Sequence, residues 1–189
     1  MDDSMSELDA NGAFELYQAN KYAEALPKLF ELEGRGSREA KFCLGYMYQE
    51  GLGTDKNYDE AIARYQGLSD AGVALASFYA GALLERLGRL SECISYYRIG
   101  AQQGNVSSAY ALYRLSKNHL AGINEPDAAK YFQQALDGGH LYAQRDLAHL
   151  MLRGRYGLSG FFRAMPLIVC GLINMAKLTA NDPKNPKLH

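Results

Sequence analysis

The sequence predicts an all-α fold, a right-handed superhelical solenoid of about five helix-turn-helix repeats. Hydrophobic residues make up 48% of the 189 residues and charged residues 22%, and proline occurs only five times. This composition is typical of a globular helical protein rather than of a disordered chain. In addition, two residue spacings recur along the chain, one for each helix of a hairpin, and such recurrence indicates a repeat architecture.

The first spacing marks the first helix of each repeat. Small or apolar residues stand at positions i, i+4, i+5 and i+8, which share one face of a helix. In the clearest unit, Ala40 is followed by Leu44, Gly45 and Tyr48. The same offsets begin again at Ala76, Ser108 and Ala143. The starting positions are 36, 32 and 35 residues apart, a length that suits hairpins of two helices.

The second spacing marks the other helix of each repeat. A small residue is followed eleven positions later by a glycine in the pairs Ala25 and Gly36, Ala61 and Gly72, Cys93 and Gly104, and Ala128 and Gly139. We expect these glycines to end the second helices, where a residue that tolerates positive φ is needed. Because one hairpin is too thin to bury its own apolar face, the spacing predicts hairpins stacked on one another.

One unit carries a longer pattern than the others. Its members are Ala40, Leu44, Gly45, Tyr48, Gly51, Gly53, Asn57, Ala61, Tyr65 and Gly72. This pattern resembles the Sel-like repeat family, a relative of the tetratricopeptide repeats. The resemblance is strongest over 37–72 and weaker over 73–139, where the double-glycine loop gives way to a short turn at Gly88 and then to Asn118 and Leu120.

The resemblance implies four hairpins and a fifth in one domain over residues 7–178. It also implies a protein-protein interaction scaffold or adaptor with no catalytic activity, because such repeats are mostly recognition modules. We expect residues 1–6 to be a flexible N-terminus. The polar, proline-bearing segment 179–189 is expected to be a disordered tail.

The second helix of the last hairpin, expected over residues 161–177, is apolar nearly all the way round. Its uninterrupted apolar run, Ala164–Ile173, is shorter than the roughly 20 residues that span a bilayer. Three interpretations stay open. The helix packs across the end of the stack, or it forms a homodimer or partner interface, or it contacts a membrane surface through Phe161 and Phe162.

Charge is divided along the chain. Residues 1–95 carry nine Lys/Arg and sixteen Asp/Glu, a net charge of −7, and the remainder carries eleven and five, a net charge of +6. In an elongated stack this division predicts an acidic end and a basic end. The acidic first half argues against nucleic acid as a partner. Three widely spaced cysteines, Cys43, Cys93 and Cys170, indicate buried thiols and a cytoplasmic protein.

In a stack of this kind the first helices are expected to line a concave face. The side of each first helix opposite its core positions therefore predicts the partner-binding residues. They are Phe42, Tyr46, Gln49, Phe78, Glu85, Tyr110, Arg114, Lys117, Arg145, His149 and Arg153, with Phe14, Tyr17 and Ala82 at matching positions. The row starts aromatic and ends basic, which suits an extended peptide with apolar side chains at one end and acidic groups at the other.

No catalytic, metal or cofactor site is predicted. Gly51-Leu52-Gly53 lacks the lysine and third glycine of a nucleotide loop, and the histidines have no partner at metal-ligand spacing. His140 follows a helix-ending glycine, so we expect a turn or capping role. Two alternatives to a scaffold stay open, a dedicated inhibitor or immunity-type protein that blocks one folded target, and a peripheral membrane-associated assembly factor.

Overall fold

The structure is a computed structural model that describes residues 12–117 and 122–153. Within those ranges every regular element is a helix. The first, α1, covers residues 12–18. It is followed by α2 (Tyr22–Gly34), α3 (Arg38–Glu50), α4 (Tyr58–Asp70), α5 (Ala74–Arg86), α6 (Leu90–Gln102), α7 (Val106–Lys117), α8 (Glu125–Asp137) and α9 (Leu141–Leu152). The all-α repeat fold predicted from the two spacings is confirmed.

The helices pair as the repeat predicts. Each odd-numbered helix from α1 to α7 forms a hairpin with the helix that follows it, and α9 packs on α8 in the position of the next first helix. Consecutive helices from α2 to α9 pack against one another, and α5 also contacts α7 directly. We call α1, α3, α5, α7 and α9 the first helices, and α2, α4, α6 and α8 the second helices.

Helix ends follow local residue chemistry. The four glycines expected to end second helices, Gly36, Gly72, Gly104 and Gly139, all have φ between 75° and 89°. At the start of α3 the Ser37 hydroxyl accepts a hydrogen bond from the Ala40 amide, at 3.2 Å. Asn57 caps α4 in the same way through the Glu60 amide, at 3.2 Å. These caps satisfy amides that have no partner inside the helix.

Glycines on the first helices make room for aromatic rings from the second helices. A Cβ on Gly45 would lie 2.9 Å from the Tyr65 ring, and one on Gly81 would lie 2.7 Å from the Tyr97 ring. Both tyrosines are buried. The small residue therefore allows a large ring to fill the centre of the hairpin, which explains why the two residue types recur together.

The fourth hairpin, α7 and α8, fills its centre with a different pair of residues. Tyr113 stands where the two preceding hairpins have glycine, and Phe132 stands where they have tyrosine. The two rings stack with centroids 4.2 Å apart and planes at 27°. Because the ring of Tyr113 now occupies the helix face, Phe132 lies against that ring instead of lying on a glycine.

Several predictions fall outside the residues that the structure describes. These are the flexible N-terminus at 1–6, the loop positions Asn118 and Leu120, Cys170, the apolar helix at 161–177 and the tail at 179–189. The homodimer and membrane interpretations of 161–177 stay predictions, as do the domain limits 7–178.

Candidate interaction face

Ion pairs join successive first helices. Arg86 on α5 lies 3.4 Å from the Glu50 carboxylate on α3. Arg114 on α7 lies 2.6 Å from Glu85 on α5, and Lys117 on α7 lies 3.3 Å from Asp146 on α9. The first helices therefore lie side by side along one surface, which we call the inner face.

Aromatic side chains occupy the inner face at α3 and α5. The Phe42 and Tyr79 rings meet edge to face with centroids 5.0 Å apart, and the Tyr46 ring lies 6.5 Å from Tyr79 in a similar orientation. Tyr79 also contacts Tyr65, whose centroid is 5.6 Å away. Tyr46 is half-buried, so part of its ring is open to a partner.

The sequence prediction included Phe78 and missed Tyr79. Phe78 packs against Tyr97 at 6.0 Å and belongs to the margin of a core cluster, as Phe42 does in the neighbouring cluster. Tyr79 occupies the position that Cys43 holds in the preceding repeat. Comparison of the two repeats alone could not identify it, because a cysteine at the equivalent position indicates core packing rather than an aromatic contact.

The N-terminal positions Phe14 and Tyr17 are also half-buried against a core cluster. Tyr17 meets Tyr22 edge to face at 5.5 Å. Burial raises the pKa of the Tyr17 hydroxyl, with smaller contributions from nearby groups that include Cys43 and Tyr46. These two rings therefore extend the aromatic end of the inner face toward α1, although much of their surface is used for packing.

Polar residues at equivalent positions in α3 and α5 accept hydrogen bonds from buried tyrosines of the second helices. The Tyr65 hydroxyl donates to the Gln49 side-chain oxygen at 3.3 Å. The Tyr97 hydroxyl donates to the Glu85 carboxylate at 2.8 Å. Burial raises the pKa of both hydroxyls, so they remain donors at neutral pH. Gln49 and Glu85 are thereby held in fixed positions on the inner face.

Arg114, predicted to bind an acidic group, already has a partner. Its Nη2 atom lies 2.6 and 2.7 Å from the two carboxylate oxygens of Glu85. An incoming anion would have to compete with that carboxylate for the guanidinium group. The pairing could not be predicted from sequence, because the two residues are 29 positions apart and occupy different positions in their repeats.

Asp146 is the central carboxylate at the α9 end of the inner face. The Tyr110 hydroxyl donates to it at 3.3 Å, Lys117 Nζ lies 3.3 Å away and Arg145 Nη2 lies 3.3 Å away. The Asp146 side chain is 17% exposed. Lys117 also lies 4.5 Å above the Tyr113 ring. Asp146 therefore holds three of the predicted binding residues together, and sequence reasoning missed it.

Two further predicted residues, His149 and Arg153, line a pocket beside Asp146. Lys117 and Leu150 complete its walls. His149, Leu150 and the C-cap residue Arg153 lie three, four and seven positions after Asp146, so they follow one face of α9. The pocket thus gathers three of the predicted basic residues, whereas Arg145 is directed toward the Tyr142 ring, 4.9 Å from its centroid.

The expectation for His140 is only partly correct. His140 occupies the position before α9, but its side chain makes no capping hydrogen bond. Its ring instead stacks on Tyr110, with centroids 4.4 Å apart and planes at 26°. Burial lowers the pKa of the imidazole, and Asp146 partly opposes that shift. Among the described residues the buried Nδ1 atom has no hydrogen-bond partner, so the ring is held there by aromatic packing.

The described residues contain neither a metal-binding cluster nor a helix able to cross a membrane. Across 12–117 and 122–153, no cluster of three or more His, Cys, Asp or Glu side chains could hold a metal ion. Over the same part of the chain, no helix has both the length and the apolar character needed to cross a membrane.

Comparison with solved structures identifies the repeat. The crystal structure of a Sel1 repeat protein from Oxalobacter formigenes superposes with a TM-score of 0.72 and 25% identity, covering 88% of this chain and 68% of that one. The chain is similar to Sel1 repeat proteins, which supports a Sel1-like repeat assignment. A protective antigen of uropathogenic Escherichia coli that displays the same fold gives a TM-score of 0.67 at 21% identity, over 81% of this chain and 34% of that one.

A curated relative agrees with this assignment. A sel1-like repeat-containing protein of Acanthamoeba polyphaga mimivirus is 27% identical over 127 residues, which is 63% of this chain. The chain spans about a quarter (24%) of that relative's length. No family model matches the chain. Sel1-repeat proteins are generally protein-interaction scaffolds and are typically non-catalytic.

Proposed function

We propose that this Sel1-like repeat chain is a non-catalytic adaptor that binds a segment of a partner protein along its inner face. The observation that carries the proposal is the row of part-exposed aromatic and charged side chains on α3, α5, α7 and α9. Ion pairs between neighbouring helices hold that row in place before any partner arrives. Side chains that are already ordered lose less conformational entropy on binding.

An extended segment matches the chemistry of this surface. Tyr46 and Tyr79 offer ring faces and edges to an apolar side chain of the partner. Gln49, with its oxygen engaged by Tyr65, offers a fixed polar group beside those rings. Lys117 and Arg153 supply positive charge at the other end. The partner expected is therefore a polypeptide with an apolar group and an acidic group separated along its length.

The proposed place of action is the cytoplasm. Cys43 and Cys93 are both free, which suits a reducing compartment. Burial raises the pKa of each thiol to about 11, so neither is activated as a nucleophile at neutral pH. This chemistry supports an adaptor better than a thiol enzyme. The repeat domain is proposed to extend over residues 7–178.

Affinity capture from the source cell tests the proposal. The wild-type chain is compared with the double variant Tyr46→Ala/Tyr79→Ala, with Tyr96→Ala as a half-buried tyrosine on a second helix. We expect a partner that is lost from the double variant and kept by Tyr96→Ala, with the helical circular dichroism of all three chains unchanged. A chain truncated after Ser159 is the fourth sample. A partner lost only on truncation would contradict the proposal.

A further inference from the structure

Two sites on the inner face are candidates for binding an acidic group of a partner. The first is Arg114, and its guanidinium is already engaged by both carboxylate oxygens of Glu85. The second is the pocket lined by Lys117, Asp146, His149, Leu150 and Arg153, which we call the α9 pocket. The pairing of Arg114 leaves the α9 pocket as the better candidate.

The charges of the α9 pocket favour an anion. Lys117 and Arg153 carry permanent positive charge, and Asp146 is the single carboxylate among the lining residues. Lys117 is positioned by Asp146 on one side and by the Tyr113 ring on the other. Within the described ranges, the Arg153 guanidinium pairs with no carboxylate. A second carboxylate would therefore find an unpaired guanidinium and an ammonium group in one concave site.

Asp146 explains how the empty pocket is kept in order. Its carboxylate holds Lys117 and also accepts from Tyr110. Without it, Lys117 would lose its only carboxylate partner in the described structure. The negative charge of Asp146 also repels an incoming carboxylate, so it positions Lys117 but weakens the binding of an acidic group. Removing that charge should therefore strengthen the binding of an acidic group, and the direction of this change can be tested.

We propose that the α9 pocket receives a glutamate or aspartate side chain of the bound segment, with Arg153 and Lys117 as its partners. The inference rests on the proposed inner-face function and specifies the chemistry of the segment and the end of the face at which its acid lies. The aromatic group of the same segment lies at Tyr46 and Tyr79. His149 lines the pocket wall and Leu150 contacts the aliphatic part of the acidic side chain.

Defined peptides test this inference without knowledge of the natural partner. Two helix-to-helix steps of about 10 Å each separate α5 from α9, and an extended chain covers about 3.3 Å per residue, so a probe of about eight residues spans the distance. The glutamate probe has phenylalanine near one end and two glutamates near the other, and the glutamine probe replaces those two glutamates with glutamines. Both peptides are acetylated at the N-terminus, amidated at the C-terminus and labelled with a fluorophore. Each is also made with the reversed sequence, because the direction of the bound segment is not fixed in advance.

The expected result is tighter binding of the glutamate probe than of the glutamine probe, by about two- to fivefold, the range measured for partly exposed ion pairs. Arg153→Gln removes this preference. Lys130→Gln, which removes the same charge from an exposed position on α8, keeps it. Asp146→Asn increases the affinity for the glutamate probe and leaves the glutamine probe unchanged.

Asp137→Asn separates a local site from a general charge effect. It removes the same negative charge as Asp146→Asn, but from an exposed position on α8 that lies outside the α9 pocket. Equal gains from the two variants, or a preference that survives Arg153→Gln, would overturn the inference. Failure of both probes to bind would overturn it too. The inner-face proposal itself is decided separately, by whether a captured partner depends on Tyr46 and Tyr79.

Discussion

The Tyr97 ring lies directly on Gly81, at a place where any other residue would put a side chain. A Cβ on Gly81 would be 2.7 Å from both Cδ1 and Cε1 of that ring. Tyr97 is 2% exposed, and its hydroxyl reaches through the hairpin to Glu85 on the inner face. One contact therefore links the packing of the hairpin to the position of a candidate binding residue.

Gly81→Ala should destabilise the protein. The added methyl group overlaps a buried ring that has little room to move, and overpacking of this kind typically costs about 1–3 kcal/mol. The free energy of unfolding in urea measures the loss.

Gly34→Ala is the matched control for that substitution. Gly34 is the last residue of α2, and a Cβ there meets nothing within 4 Å. We expect no loss and a gain of up to about 1 kcal/mol, because alanine favours helix. Equal losses at Gly34 and Gly81 would show that the Tyr97 contact is not the cause.

Glu85 and Arg114 should be energetically coupled across α5 and α7. A double-mutant cycle with Glu85→Gln and Arg114→Gln isolates their interaction, and Gln at position 85 can still accept from the Tyr97 hydroxyl. Both side chains are partly exposed, so the coupling expected is about 0.5–1 kcal/mol. It should decrease in high salt, because counterions screen the pair.

The Arg89 and Glu92 pair provides a comparison for this cycle. These residues are three positions apart on one exposed surface, with side chains 43% and 49% exposed. Their coupling should be smaller than that of Glu85 and Arg114. A larger value for Arg89 and Glu92 would contradict the idea that the inner-face pairs order the first helices.

The stability of the protein should decrease in mild acid because of His140. Burial lowers the pKa of the folded imidazole below its ordinary value of 6.5. The unfolded chain therefore binds the proton more readily than the folded chain does. The stabilisation is complete above the ordinary pKa and is lost as the pH falls through the folded pKa. Urea unfolding from about pH 7.5 to about pH 5 follows the loss.

His140→Phe should reduce that pH dependence. A phenyl ring can still stack on Tyr110 and does not titrate. The groups that face His140 are Tyr110 and Tyr142 through their rings, and Asp146, whose charge raises the imidazole pKa. A pH profile identical to wild type would show that His140 is not the source of the effect.

Cys43 and Cys93 should react slowly with an alkylating reagent in the folded protein. Burial raises the pKa of each thiol from 9.0 to about 11, and the thiolate is the reactive form. In a Cys170→Ser background, iodoacetamide at about pH 8 should modify both residues roughly 100-fold more slowly than in the urea-unfolded chain. Equal rates before and after unfolding would contradict the burial of these thiols.

The sequence predicted the periodic parts of the structure well. The repeated spacings to Gly36, Gly72, Gly104 and Gly139 located the ends of the second helices, because a left-handed residue is needed at each end. Most of the inner-face residues could be proposed because equivalent positions recur. A residue type that recurs at the same position of every hairpin can be identified by aligning the hairpins with one another.

The parts that differ between repeats could not be predicted in this way. Tyr79 and Asp146 were missed because the other repeats have no matching residue type at those positions. The pairing of Arg114 with Glu85 depends on side-chain reach between two hairpins, and no spacing in the sequence specifies it. The Tyr113 and Phe132 stack shows the same limit, since two substitutions compensate each other only in three dimensions.

Photo-cross-linking from the inner face tests the central claim most directly. A benzophenone amino acid is placed at Ala82 on α5, the equivalent of Tyr46, and in a second chain at the exposed Gln66 on α4. The account predicts that Ala82 forms a cross-link to one segment of one partner protein in the source cell and that Tyr46→Ala abolishes it. Cross-linking to the same partner from Gln66, with none from Ala82, would contradict binding along the inner face.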